Sequence, residues 1–162
     1  MKSAEMLELL RAFYRDKLAL RQRHVAAARY IKDYELNNAY QYIIAREDVQ
    51  VRWLQDAIVD MGGQPEDIGE PDVKPQGKGK AAQNALLATD RDLARAMVDT
   101  WRPRIDALPN ARHRSMLRVI LGETLEHQRM FEQALGGRTD VLGRRADGAG
   151  TTGAVLATRW VE

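Results

Sequence analysis

The stretch Ile44-Ala45-Arg46-Glu47-Asp48-Val49-Gln50-Val51-Arg52-Trp53-Leu54 decides the fold. Around it, Leu36, Tyr40, Ile43, Glu47, Gln50, Leu54, Ala57 and Met61 recur at spacings of three and four. That period is the inward stripe of an α-helix, not the alternation of a strand. The stripe is apolar at both ends and polar at its middle, where Glu47 and Gln50 stand. Gly62-Gly63 then offers a helix stop.

Upstream, Met6, Leu10, Phe13, Lys17, Leu20, His24, Ala27 and Ile31 repeat the pattern. They predict a first helix over about 4–31, with Ser3 as N-cap. Lys32-Asp33-Tyr34-Glu35 reads as a short turn, and a short turn between long helices implies an antiparallel hairpin. Downstream, residues 62–80 hold five Gly and three Pro, a linker too long for a hairpin turn. A third helix follows over about 81–107, with Pro103 expected to kink or fray its last turn. Pro109-Asn110 marks a turn, and a fourth helix covers about 111–135 before Gly136-Gly137. The second hairpin looks like a copy of the first. An offset of 77 maps Leu9-Leu10 onto Leu86-Leu87, Ile31 onto Leu108, Ile43 onto Ile120, Arg52 onto Arg129 and Ala57 onto Ala134. The expectation is an all-α, antiparallel four-helix bundle over 1–137, two hairpins joined by a long crossover. A Gly-rich C-terminal tail, 138–162, follows it.

Composition narrows the function classes. The chain has 162 residues, 44% hydrophobic and 30% charged, enough for one domain with a core. Net charge is +2, and no basic run is interleaved with aromatics, so nucleic-acid binding is not expected. There is no Cys, which excludes disulfides, thiolate metal sites and Cys nucleophiles. No stretch reaches the ~18 apolar residues of a membrane span. Met1-Lys2-Ser3-Ala4-Glu5 lacks an apolar signal region, so a cytoplasmic protein is expected.

Asp33-Tyr34-Glu35-Leu36, followed at the right distance by Glu47, resembles small bacterial domains of the ferritin-like superfamily. That family's pattern puts one Glu on the first helix and Glu-x-x-His on the second. It puts one Glu on the third and Glu-x-x-His on the fourth. Together these ligands hold two iron or manganese ions. At the matching positions this chain has Lys17, Glu47, Gln50, Ala94, Thr124 and His127. Only Glu47 and His127 match the family ligands. A hard divalent pair needs several anionic oxygens, and a Lys cation opposes it. The resemblance therefore implies a bundle that has lost its di-metal centre.

In place of the metals, the Lys17 ammonium is expected to neutralise Glu47, with Gln50, Thr124 and His127 completing a buried polar centre. The other reading of Lys17 is a stem that snorkels to the surface. His24 and Asp90 are expected to pair one layer away. Glu123 is read as solvent-facing and His127 as held by a hydrogen bond. If the register differs, Glu47, His127 and Glu123 are the candidate ligands of a degenerate iron or manganese site. Otherwise no cofactor is expected. The tail, with Leu156, Trp160 and Val161 as anchors, reads as a docking segment for a sheet edge or an apolar groove. The leading function is a non-catalytic structural or interaction subunit, and the resemblance implies a homodimer paired through the first hairpin, where Tyr30, Tyr34, Tyr42 and Trp53 would suit an interface. The alternatives are a metal-dependent oxidoreductase or iron-handling protein, and a small-molecule binder using space beside Ala94 and Thr124.

Overall fold

A computed structural model describes residues 1–143; Leu156, Trp160 and Val161 lie outside the described residues. Those described form four helices and no strand: α1 Ser3–Ala28, α2 Tyr34–Asp60, α3 Gly79–Asp106 and α4 Ala111–Leu135. Every stripe residue named above is buried except Met61, which is half-buried. No helix of the described residues is long and apolar enough to cross a membrane.

Helix ends follow from local chemistry. The first helix starts one residue earlier than its Ser suggested. Lys2 is the N-cap, and its N–H donates to the Glu5 carboxylate at 3.0 Å. α1 stops at Ala28 rather than 31 because Asn37 takes over its carbonyls. The Asn37 amide donates to the Ala28 and Ile31 carbonyls at 3.1 and 3.2 Å. Asp33 then caps α2 by accepting from the Leu36 N–H at 2.9 Å. α2 ends in a Schellman turn: Gly62 adopts φ 82°, and the Gly63 N–H reaches the Ile58 carbonyl at 2.9 Å. Gly137, at φ 94°, ends α4 the same way, with the Arg138 N–H on the Gln133 carbonyl at 3.0 Å. α3 does not fray at Pro103. Trp101 and Ile105 are buried on either side of it, and the Arg104 guanidinium lies 4.1 Å over the Trp101 ring.

α1 packs on α2 and α3 on α4 as two hairpins, and the hairpins meet through α1–α3 and α2–α4. Asp16 faces Trp101 while Arg23 faces Asp90, so α1 and α3 are antiparallel. The crossover therefore runs the length of the bundle. It lies along α1: Tyr14 donates to the Glu66 carbonyl at 2.7 Å, Gln22 to the Ile68 carbonyl at 2.5 Å, and Arg29 pairs with Glu70. Val73, on the crossover itself, is buried in one of the apolar clusters. Packing continues past 137, because Val141 is buried against the bundle; the compact part is longer than the sequence implied.

The core has two apolar clusters. One holds Phe13, Leu54, Trp101 and Leu117; the other holds Ile43, Leu87, Met130 and Phe131. A layer of buried polar side chains separates them. Two glycines test how backbone shape sets this frame. Nothing lies within 4 Å of a Cβ added at Gly62 or at Gly122 inside α4. Gly62→Ala should therefore cost about 1 kcal/mol through its positive φ alone, while Gly122→Ala should stabilise by up to about 1 kcal/mol. Chemical-denaturation midpoints of the two variants should move in opposite directions.

Candidate functional site

The polar layer is built by all four helices. From α1, the Lys17 ammonium lies 3.1 Å from Glu47 Oε2 and donates to Thr124 Oγ1, also at 3.1 Å. Thr124 passes its own proton back to the Ile120 carbonyl at 2.7 Å. Its hydroxyl thus accepts from the cation and still satisfies its donor. The Lys17–Glu47 contact is an ion pair by distance without hydrogen-bond alignment at Oε2. Lys17 does not snorkel; neither it nor Glu47 has any exposed surface.

Two turns along α1, His24 lies between two carboxylates and hydrogen-bonds one of them. Its Nδ1 lies 2.5 Å from Glu47 Oε1 and its Nε2 4.0 Å from Asp90 Oδ1. An ionised carboxylate only accepts, so Nδ1 carries the proton toward Glu47. The sequence paired His24 with Asp90; its closer partner is Glu47. Asp90 is held instead by Arg23 Nε at 2.9 Å and by the Tyr40 hydroxyl at 2.5 Å. Burial, followed by the Asp90 charge, raises the Tyr40 pKa well above its ordinary value. This tyrosine therefore serves as a neutral donor.

On the α2–α4 side the picture differs from expectation. Glu123 does not face solvent. It is buried, paired with Arg46 Nη2 at 2.6 Å, and receives the Gln50 amide. Gln50 thus joins the buried polar centre through Glu123. His127 is buried, yet neither ring nitrogen makes a hydrogen bond, so it is not the hydrogen-bonded core histidine read from sequence. Its candidate partners are committed elsewhere: Lys17 to Glu47 and Thr124, Gln50 to Glu123. Ala94 is buried opposite and adds no polar atom.

Three carboxylates, Glu47, Asp90 and Glu123, are each matched by one cation, Lys17, Arg23 and Arg46. Such matching is what makes buried charge tolerable. Burial alone would raise the Glu47 pKa, but His24 and Lys17 outweigh it and hold the carboxyl at about 2. Burial, reinforced by the Lys17 charge, lowers His127 to about 3 and keeps it neutral. Sequence reasoning missed Arg23, Arg46 and the role of Tyr40, which it read as core filling. A signal was present for one of them: the 77-residue offset places Arg46 on Glu123.

Of the candidate metal ligands, Glu123 and Glu47 both carry cationic partners, and His127 is the one without a polar partner. Among the described residues no group of three or more His, Asp or Glu is placed to hold a metal ion. Of the surface aromatics, Tyr34 is 73% exposed and Tyr30 42% exposed, whereas Tyr42 and Trp53 pack partly into the core. Comparison with protein-family models, with curated proteins and with solved structures finds no match to this chain.

Two predictions follow from the layer's electrostatics. Lys17→Met should lower unfolding free energy by about 3–5 kcal/mol, because it strands Glu47. Lys17→Met combined with Glu47→Leu should recover about half or more of that loss, since both charges leave together; equal stability of all three proteins would show the pair to be idle. The pH dependence has a definite sign. The Glu47 pKa falls from 4.5 to about 2 on folding, and the His127 pKa from 6.5 to about 3. In both windows the unfolded chain binds more protons, so stability falls as pH falls. The decline should begin near pH 6.5 through His127 and be reinforced below pH 4.5 by Glu47. In His127→Leu the stability between those two pH values should flatten, as read from denaturant midpoints across a pH series.

Proposed function

We propose that this protein is a ferritin-like bundle in which a lysine has replaced the di-metal centre. It acts as a non-catalytic structural or interaction subunit. One observation carries the reading: the Lys17 ammonium sits between Glu47 and Thr124, on two helices, in the middle of the bundle. Those are the positions where the family resemblance expects ligands and metal. A cation there does the electrostatic work of a metal for Glu47 and removes the anionic excess that a metal would need.

The hairpin–crossover–hairpin order and the crossover laid along α1 support the family assignment. An interaction role draws on the exposed Tyr30 and Tyr34 at the α1–α2 turn and on the apolar C-terminal segment. We place a homodimer contact at that hairpin. The competing reading is an iron- or manganese-dependent oxidoreductase or iron-handling protein using Glu47, Glu123 and His127. What favours it is the buried, unbonded His127.

Metal loading separates the two. Purified protein is exposed anaerobically to Fe(II) and then Mn(II), desalted and assayed for metal. Retention far below one ion per chain is the expected result. About one or two ions per chain, lost in His127→Ala, would sink the non-catalytic reading. The homodimer is checked separately: sedimentation should give a dimer that Tyr34→Ser, at its exposed site, converts toward monomer.

A further inference from the structure

α1, α3 and the crossover line an open groove of about 490 Å³ that touches the polar layer at Arg23. Ala19 and Ala96, one from each helix, line it without side chains long enough to fill it. Leu20 and Met97 form an apolar floor, with Leu93 beside them and Ile68 and Pro71 on the crossover wall. Its volume lies within the ~300–1,000 Å³ of small-ligand and peptide-anchor sites, and its apolar lining with few polar groups is their usual character.

Two opposite charges mark the groove along α1. Asp16 is held by the Trp101 indole N–H at 2.8 Å, and Arg23 by Asp90 at 2.9 Å. They are two helical turns apart, about 10 Å. Arg23 uses its Nε on Asp90 and is 21% exposed on its side chain, and its two terminal nitrogens carry four further N–H donors. The complementary occupant has a cation at one end, a carboxylate at the other about 10 Å away, and apolar groups between.

The chain itself contains such a segment. Arg159-Trp160-Val161-Glu162 places two apolar residues between a cation and a carboxylate, and three residue steps of polyproline II chain, which return i and i+3 to one side, span about 9 Å. These residues lie outside the described ones, and only their sequence enters here. Val141 packs beside Lys80 and Gln83 at the start of α3, and the groove begins at Leu93. That is roughly 15–20 Å along the helix. Fifteen residues lie between Gly143 and Arg159. At ~3.3 Å per residue they reach about 50 Å, enough to pass the Arg23 end and return.

We propose that Arg159-Trp160-Val161-Glu162 of this chain occupies the groove between α1, α3 and the crossover. Trp160 lies on the Leu20–Met97 floor, Arg159 faces Asp16 and Glu162 faces Arg23. The proposal rests on the reading of the C-terminal segment as a docking peptide and names its receptor.

Disulfide trapping in the full-length chain tests this, and the absence of native Cys keeps it clean. Leu93→Cys at the groove is paired with Val161→Cys; the control pairs Val161→Cys with Val119→Cys on α4. Leu93 and Val119 are 40% and 50% exposed, so neither change opens the core. Docking should make the within-chain disulfide form at least about tenfold faster at the groove than at the control site, by raising local concentration. Arg159→Glu should erase most of that difference. Equal rates at the two sites would overturn the proposal, as would a groove disulfide that forms only between two chains. Either failure leaves the metal-retention result unaffected, so the two readings fall separately.

Discussion

The Lys17–Glu47 ion pair is the constraint on which the rest of this bundle depends. Both groups are wholly enclosed, and burying either charge without the other is costly. Their pairing sets what every neighbour must do. Thr124 must turn its lone pair to the ammonium and its proton to the Ile120 carbonyl. His24 must present Nδ1 to the second Glu47 oxygen, which brings its far nitrogen toward Asp90. Asp90 then needs Arg23 and Tyr40. One charged position on α1 thus accounts for polar residues on the other three helices. It also explains why the apolar core is divided in two rather than continuous.

Aligned at the offset of 77, the two hairpins differ most at the contacts between α1 and α3. The offset of 77 equates Phe13 with Asp90 and His24 with Trp101. The α1–α3 contact Phe13–Trp101, edge to face at 5.1 Å, is therefore equivalent to the contact Asp90–His24. One copy of the same place in the bundle is aromatic and the other is charged. The middle of α1 differs likewise from its counterpart: Lys17 corresponds to Ala94, which leaves room on one side for a long side chain from the other. Arg46 and Glu123 are equivalent to each other, so their ion pair joins the two hairpins at matching positions. The polar layer is thus asymmetric in chemistry while keeping the geometry of a two-copy frame.

Much of the frame was legible because helical periodicity is a strong local signal. The inward stripes of α1 and α2 were read residue by residue, and a long Gly- and Pro-containing linker between hairpins leaves few topologies open. Helix ends were less legible, since Asn37 capping two carbonyls of the previous turn is a tertiary event. Within the site, Lys17 with Glu47 and Thr124 was readable because all three lie on stripes at one level. Glu123 was expected to face solvent and His127 to hold a hydrogen bond, and neither does. The partner of Glu123, Arg46, lies off the stripe, and a long guanidinium reaches groups that spacing rules assign to solvent. Tyr40 was correctly placed in the core, but no spacing rule tells where a hydroxyl will point.

Such a layer does more for uniqueness than for strength. Replacing buried ion pairs by apolar groups is often neutral or stabilising, so Lys17 and Glu47 need not be the best residues for stability. What they exclude is misalignment. Sliding α1 by one turn would bring Lys17 to the level of Phe13 or of Leu20, which pack in the apolar cluster. Glu47 would then face that cluster's side chains instead of an ammonium, at a cost of several kcal/mol. The same slip would separate Arg23 from Asp90 and Asp16 from Trp101. An all-apolar seam of similar periodicity would have no comparable penalty, because one Leu replaces another. The unbonded nitrogens of His127 and the unmatched Gln50 oxygen show that the layer is not fully satisfied. Its residual cost is borne because three ion pairs together hold one register of four helices against its neighbours.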